Sequence, residues 1–135
     1  IPHACAYPIA GIKKSYLASG YKKCFIPHGI SVIVTAPAVF RFTYDVDPNK
    51  HIKAAELLKG NRINNPGPES LPYEIIKLMK EVGAPSGIKK LGYSKKDISE
   101  IIKGATKQRR LLSIAPKNVN EYDLNQILIQ SMENW

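Results

Sequence analysis

Two of the three histidines stand in similar surroundings. His3 and His28 each follow a proline, and Gly29 lets the backbone after His28 approach a neighbour closely. A neutral imidazole nitrogen is a good ligand for divalent zinc or iron. Two histidines do not complete a catalytic metal site, which takes about three protein ligands and an open position. From spacing alone, the pair is either part of a ligand set or two ordinary histidines of the core or surface.

The remaining histidine and the cysteines predict less chemistry. His51 follows Asp47 and Pro48 in the first turn of a polar helix and is expected at the surface. Cys5 lies two residues after His3 and would point away from it on a helix. We expect both Cys5 and Cys24 to be inert buried thiols, because free cysteine usually packs as a small hydrophobic residue. Two cysteines also provide no disulfide framework.

The elements that would position these residues are mostly helical after residue 46. Asp47 followed by Pro48 is typical of a helix start, and Gly60 of a helix end. The stretch NRINNPG, residues 61–67, predicts a loop. A second helix is expected to end at Gly83, where glycine suits a left-handed C-cap.

Two further helices follow in the second half. Ser94 with Asp97 resembles a capping box, and the last helix is expected to begin near Asn120. Helical spacing predicts the core-facing residues of all four helices. They are Ala54, Leu57 and Leu58; then Leu71, Ile75, Leu78, Met79 and Val82; then Ile98, Ile101, Ile102 and Ala105; and finally Leu124, Ile127, Leu128 and Met132.

One segment fits two structures. From Ile30 to Tyr44 apolar and polar residues alternate as in a strand. Pro37 would delete a hydrogen-bond donor from a central strand, although it also costs a helix about 3 kcal/mol. Ile33 and Val39 break the alternation and allow a helix that is buried on most sides. The pattern alone leaves both structures open.

Composition bounds the size and the partners. The chain has 135 residues, enough for one domain, and a net charge of +9. Its basic residues are scattered doublets, whereas residues 1–44 contain no acidic residue. A basic helical module that binds nucleic acid, or a helical interaction domain without chemistry, therefore remains an alternative.

The longest uncharged run, residues 24–40, contains breakers that exclude a transmembrane helix. Because the chain begins at Ile1 without a leader, we expect a piece of a longer protein with any targeting signal upstream.

The elements HACAYPIAG (3–11), PHGISVIVTAP (27–37) and GIKKLGYSKKDI (87–98) resemble the metal-binding and closing segments of the iron-containing (group III) alcohol dehydrogenases. The likeness covers essentially the whole chain and is greatest to the hydroxyacid-oxoacid transhydrogenase branch. The long gap IKKSYLASGYKKCF (12–25), the segment QRRLLSIAP (108–116), and Tyr7, where many relatives carry histidine, all resemble that branch.

The resemblance implies an all-α fold. Residues 1–135 would form most of the C-terminal helical domain, with residues 12–27 as an insertion loop between the two histidine motifs. The family's N-terminal α/β dinucleotide domain would be absent from this chain. Residues 29–44 would then be one mostly buried helix that tolerates Pro37.

The resemblance also implies the chemistry. His3 and His28 would be two of four ligands to a divalent metal, iron or zinc, while an aspartate and another histidine would lie upstream. The metal would polarise the substrate oxygen for hydride transfer to or from bound NAD. Tyr7 would reach the substrate oxygen or the nicotinamide, or simply pack. A phenol holds its proton more tightly than an imidazole, so Tyr7 would relay protons poorly.

The branch moves hydride from 4-hydroxybutyrate to 2-oxoglutarate in mitochondria, so its pocket must receive carboxylates. Arg110 is the first candidate for that contact, and Lys13 or Lys14 the second, with a solvated surface charge as the alternative. Another alternative is a dehydrogenase of the same family that acts on a simple alcohol. The isolated chain would be inactive, would not fully bind metal or NAD, and would expose an apolar face that can drive homo-oligomer formation. Its expected partners are the dinucleotide domain and small hydroxyacid and oxoacid substrates, with no membrane and no nucleic acid.

Overall fold

The computed structural model describes residues 1–13 and 15–135, and every secondary-structure element within these ranges is helical. The α-helices are α1 (Pro2–Ile12), α2 (His28–Ile33), α3 (Ala36–Thr43), α4 (Pro48–Lys59), α5 (Ser70–Glu81), α6 (Ile98–Thr106), α7 (Arg109–Ser113) and α8 (Glu121–Gln130). Short 3-10 turns occupy Tyr44–Val46, Ile88–Leu91 and Lys95–Asp97. The all-α expectation is confirmed. Across the described ranges, no helix has the length and apolar character needed to cross a bilayer.

The core lies between α1, α3, α5, α6 and α8. α1 packs against α2 and α6, α6 packs against α8, and α3 packs against α5 and α8. The side chains that fill the space between them are fully buried and include Ile9, Met79, Leu91, Ile101, Leu124 and Leu128. α1 is therefore held from two sides, which fixes the helix that carries His3.

The predicted helix ends are confirmed. The Asp47 side chain accepts a hydrogen bond from the Lys50 N–H at 3.1 Å, and α4 ends at Gly60 with a φ of +78°. Gly83 after α5 also has a positive φ, of 68°. Both glycines close their helices in the left-handed region, where a residue with a Cβ is strained.

The later helices begin as predicted. The Asp97 carboxylate accepts hydrogen bonds from the N–H and the hydroxyl of Ser94 before α6. Asn120 and Asp123 form reciprocal side-chain bonds to each other's N–H at the start of α8. Residues 61–67 form the expected loop.

Residues 29–44 are not one helix, and they are not a strand. The helix breaks at Val34 and Thr35, between α2 and α3. Pro37 lies in the first turn of α3, where a missing backbone N–H breaks no helical hydrogen bond. Because proline has no N–H, it cannot donate to the Ile33 carbonyl four residues earlier, so α2 cannot continue through it. The proline therefore starts a new helix, and the expectation of a single continuous helix was wrong.

Three leucines and one valine that were predicted to face the core are exposed. In α4, Leu57 is 69% exposed and Leu58 48%, while Ala55 is the buried residue. α4 lies at the edge of the molecule and packs mainly against α5, so only a narrow stripe is covered. In α5, Leu78 and Val82 are exposed, whereas the other three predicted residues are buried.

Candidate metal centre

Each Pro–His pair places an imidazole on the first turn of a helix. Pro2 occupies the start of α1 and is followed by His3, and Pro27 is the N-cap of α2 and is followed by His28. Because α1 packs against α2, these two first turns meet. The ring centroids of His3 and His28 are 5.2 Å apart, with an angle of 61° between the rings, and both side chains are exposed.

Tyr7 joins the two histidines. It lies one turn after His3 on α1, as residues four apart share a face of a helix. Its ring centroid is 6.1 Å from that of His28, and the side chain is 52% exposed. His3, Tyr7 and His28 form the histidine cluster, an exposed group of two imidazoles and a phenol.

The cysteines are not part of this cluster. Cys5 faces the core between His3 and Tyr7, is fully buried, and its burial raises the pKa of the thiol to about 12. A thiol in that state is neither a nucleophile nor a ready metal ligand, which confirms Cys5 as an inert buried residue. Cys24 is exposed, so its predicted burial was wrong. It lies in the non-helical stretch before α2, most of which is exposed.

The donor set of the cluster suits a divalent transition metal. Imidazole is a preferred ligand of zinc and iron. A cation about 2.0–2.1 Å from one nitrogen of each ring, at a roughly tetrahedral angle, puts two imidazole centroids about 5 Å apart. The spacing of His3 and His28 agrees with this value. Within residues 1–13 and 15–135, no group of three or more His, Cys, Asp or Glu side chains could hold a metal ion. The cluster therefore fits two of the ligands that such a site requires.

A sequence profile of the C-terminal part of the Fe-containing alcohol dehydrogenase family matches residues 19–132. The chain belongs to this family. It is 37% identical over 137 residues to a mitochondrial hydroxyacid-oxoacid transhydrogenase of Rattus norvegicus, covering 97% of this chain and 29% of that protein. It is 39% identical over 140 residues to a probable mitochondrial hydroxyacid-oxoacid transhydrogenase of Dictyostelium discoideum, covering 96% of this chain and 25% of that protein. These matches confirm the resemblance that the histidine motifs indicated.

A solved structure has the same fold. The crystal structure of a 1,3-propanediol oxidoreductase matches 96% of this chain and 32% of that protein, with a TM-score of 0.77 and 24% sequence identity. The chain thus spans about a third or less of the length of the relatives it matches. It corresponds to the C-terminal helical domain of this dehydrogenase family.

The candidate carboxylate-binding residues of this domain differ in their surroundings. The Lys13 ammonium donates to the Gly92 carbonyl at 2.7 Å and to Asp97 Oδ2 at 3.1 Å, so its charge is already paired. Ten residues of helix also separate it from His3, about 15 Å along the axis. The structure does not bring Lys13 to the histidine cluster. Lys14 lies outside the described residues.

Arg110 is exposed on α7, a short helix that contacts α1. Among the described residues its guanidinium forms no ion pair within 4.0 Å, in contrast to Lys13 and to Arg41, whose guanidinium is held by Glu69. Its charge is therefore available to an anion at the α1 side of the domain.

His51 is not the surface residue that its polar helix predicted. It is half-buried, its Nδ1 donates to the Asp47 carbonyl at 2.9 Å, and its Nε2 lies 3.1 Å from Thr43 Oγ1. The rings of Phe40 and Tyr44 pack against it edge-on. Both nitrogens have partners within the domain, so His51 is a structural histidine. Its position four residues after Asp47 could have indicated the bond to that carbonyl.

The far end of α1 is held by Tyr93, a residue to which no sequence pattern assigned a role. Tyr93 is buried, and its hydroxyl donates to the Ile9 carbonyl at 2.6 Å and accepts from the Lys13 N–H at 3.1 Å. The contacts span 80 and 84 positions of sequence, and no local pattern predicts them.

Proposed function

We propose that the histidine cluster is half of the metal centre of an oxidoreductase, with His3 and His28 as two ligands of a divalent cation, iron or zinc. The observation that carries this proposal is the 5.2 Å separation of the two imidazole rings. The rings come from two helices and from positions 25 residues apart, and both are open to solvent. Two solvent-exposed imidazoles at this spacing have the separation expected of two rings that bind one cation.

The other ligands, an aspartate and a histidine, and the nicotinamide site are proposed to lie in the dinucleotide-binding domain of the same protein. A cation held by the complete set would supply a Lewis acid for the substrate oxygen. The domain described here would contribute the two imidazoles, orient them through α1 and α2, and form one wall of the cleft. By itself it would be inactive. We propose residues 12–27 as an insertion between the two ligand helices.

The proposed substrates are a hydroxyacid and an oxoacid, with 4-hydroxybutyrate as hydride donor and 2-oxoglutarate as acceptor. Support comes from the relatives named hydroxyacid-oxoacid transhydrogenases, which are also named mitochondrial, and we propose the same location for this protein. In such a reaction the oxidation of one substrate balances the reduction of the other on a retained NAD. Little proton exchange with solvent is then needed.

We assign Tyr7 a role in this coupled oxidation and reduction of the two substrates. Its exposed phenol, beside His28, would donate a hydrogen bond to the substrate oxygen or contact the nicotinamide. A Tyr7→His variant is expected to change the rate or the preference for free over bound cofactor. An unchanged rate together with an unchanged preference would contradict this role.

Arg110 is the proposed contact for a substrate carboxylate, because a guanidinium can donate two parallel hydrogen bonds to it. Its lack of an ion pair within 4.0 Å among the described residues favours it over Lys13, whose ammonium is bonded to Asp97. Lys14 remains a second candidate. An Arg110→Lys variant is expected to raise KM for the diacid 2-oxoglutarate more than KM for the monoacid 4-hydroxybutyrate.

The test of the metal centre uses the full-length protein. His3→Ala and His28→Ala are expected to lose most of the bound metal and the transfer of hydride between the two substrates without added NAD. His51→Gln serves as the matched control, since it removes an imidazole outside the cluster. Metal content is measured on folded protein by elemental analysis. If His3→Ala and His28→Ala keep the metal content of the parent, the proposed centre is wrong.

A further inference from the structure

The C-terminal end of α1 is closed by an unusual hydrogen bond. The helix ends at Ile12, and Lys13 has extended backbone angles, with φ of −106° and ψ of 133°. In a continuing helix the Lys13 N–H would donate to the Ile9 carbonyl, four residues back. Here the Tyr93 hydroxyl lies between the two groups, accepting from Lys13 and donating to Ile9. One phenol thus replaces the last bond of the helix.

The Lys13 side chain strengthens the same junction. Its ammonium bonds to the Gly92 carbonyl and to Asp97, and lies 5.2 Å from the centre of the Tyr93 ring. The Asp97 carboxylate also accepts hydrogen bonds from the Ser94 N–H and hydroxyl, and these bonds together with the one from Lys13 lower its pKa to about 2. Residues 92–97 therefore hold the end of α1 through the hydrogen bonds of the Tyr93 hydroxyl and through the bonds of the Lys13 ammonium to the Gly92 carbonyl and to Asp97.

The opposite end of α1 lacks such anchors. Its N-cap, Ile1, provides no side-chain hydrogen bond to the first turn, which carries His3. Elsewhere α1 is held by apolar packing against α2 and α6, which includes the contact of Pro8 with Gly104 of α6. The polar groups that fix the register of α1 are thus at its far end.

We propose that Tyr93 is a positioning residue, whose hydroxyl sets the register of α1 and thereby the spacing of His3 and His28. The inference rests on the proposed metal centre for its functional meaning. Without the hydroxyl, the Ile9 carbonyl and the Lys13 N–H lose their shared partner, so the last turn opens and α1 can shift along α6. Groups that are bonded directly to metal ligands change metal affinity by about 10–100-fold when they are mutated. Tyr93 acts on the two histidines only through α1, so we expect a smaller, severalfold change.

The test compares Tyr93→Phe with the parent in the 135-residue chain, which has its own continuous core. Tyr93→Phe keeps the buried ring and removes only the hydroxyl. Tyr122→Phe is the matched control, because it removes a hydroxyl from a side chain on α8 that is 70% exposed. Two quantities are measured at a temperature where circular dichroism shows all variants folded. One is the nuclear Overhauser effect between the ring protons of His3 and His28, and the other is the Zn²⁺ dissociation constant.

Tyr93→Phe is expected to weaken the ring-to-ring effect and to raise the Zn²⁺ dissociation constant severalfold, while Tyr122→Phe leaves both at the parent values. A variant that is less stable but keeps both quantities shows a merely structural hydroxyl and overturns the inference. If Tyr93→Phe does not fold, Asp97→Asn replaces it, since it loosens the same junction from the surface, and unchanged values there overturn the inference equally.

The variant His3→Ala distinguishes a failure of the proposed metal centre from a failure of the positioning role of Tyr93. If that variant binds Zn²⁺ as tightly as the parent, the proposed centre is wrong. The ring-to-ring effect, measured without metal, still decides whether Tyr93 positions the two histidines.

Discussion

The closest approach between α1 and α6 depends on the absence of a side chain at Gly104. A Cβ added there would lie 2.5 Å from Cβ and 3.1 Å from Cγ of Pro8. Carbon atoms in good contact are about 3.5–4.0 Å apart, so the added methyl overlaps Pro8 by roughly 1 Å. The proline ring cannot rotate out of the way. Gly11, in contrast, is a helical glycine of α1 with open space around its Cβ position.

Gly104→Ala and Gly11→Ala share one effect and differ in another. Each gains up to about 1 kcal/mol in helix propensity, because glycine is the less favourable residue inside a helix. Only Gly104→Ala adds a methyl group to a filled space, which costs about 1–3 kcal/mol. We expect Gly11→Ala to stabilise the chain by up to about 1 kcal/mol and Gly104→Ala to destabilise it by about 1 kcal/mol. The difference between the two variants is then about 2 kcal/mol.

Equilibrium urea unfolding followed by circular dichroism measures this difference. The slope of the unfolding free energy against urea concentration should stay the same in both variants, since the exposed surface does not change. Equal stability of the two variants would refute the reasoning, because the packing of α1 on α6 would then tolerate a methyl group at the contact.

Three further predictions concern the ends of the chain's helices and its thiols. Lowering the pH from about 5 to about 2 should reduce the unfolding free energy of the parent more than that of Asp97→Asn. The folded pKa of the Asp97 carboxyl, about 2, lies below its unfolded value, so the unfolded chain binds the proton first as the pH falls. Urea unfolding at each pH measures this difference. Asn134→Ala should lower the unfolding free energy by about 1–3 kcal/mol, measured the same way, because the amide donates to the Val34 carbonyl at 3.0 Å. A thiol reagent at neutral pH should label Cys24 and spare Cys5 until the chain unfolds, as mass spectrometry would show.

The predictable part of the fold is the part fixed by local interactions. Capping pairs such as Ser94 with Asp97 act within one turn, so they can be recognised in the sequence and are found where expected. The apolar period of α6 and α8 likewise reports a face that is buried along its whole length. For these helices the sequence indicates both where the helix lies and where it begins.

Other features depend on what lies outside an element. The alternation over residues 30–44 resembles a strand because the segment is buried on several sides, and burial weakens the helical period. The exposure of Leu57 and Leu58 follows from the edge position of α4, which no pattern within α4 reports. Tertiary packing decides these cases, and the local pattern does not contain it.

The histidine cluster was predictable only in part. Spacing identified His3 and His28 as candidates and left open whether they meet, and the resemblance to the dehydrogenase family supplied the expectation that they do. The helical period correctly placed Tyr7 on the face of His3. It could not show that the charge of Lys13 is bonded to Asp97, because the partner is 84 residues away.

The same long-range contacts explain why the cluster depends on the whole domain. The helix of His3 is closed by Tyr93, whose bond partner Ile9 is 84 residues away in sequence. The short helix of His28 ends beside the Val34 carbonyl, which is bonded to Asn134, 100 residues further on. Each of the two histidine-bearing helices thus ends on a side chain from the second half of the chain. The two imidazoles can keep their separation only while that half is folded against them, so the proposed metal centre and the stability of the C-terminal helices are physically linked.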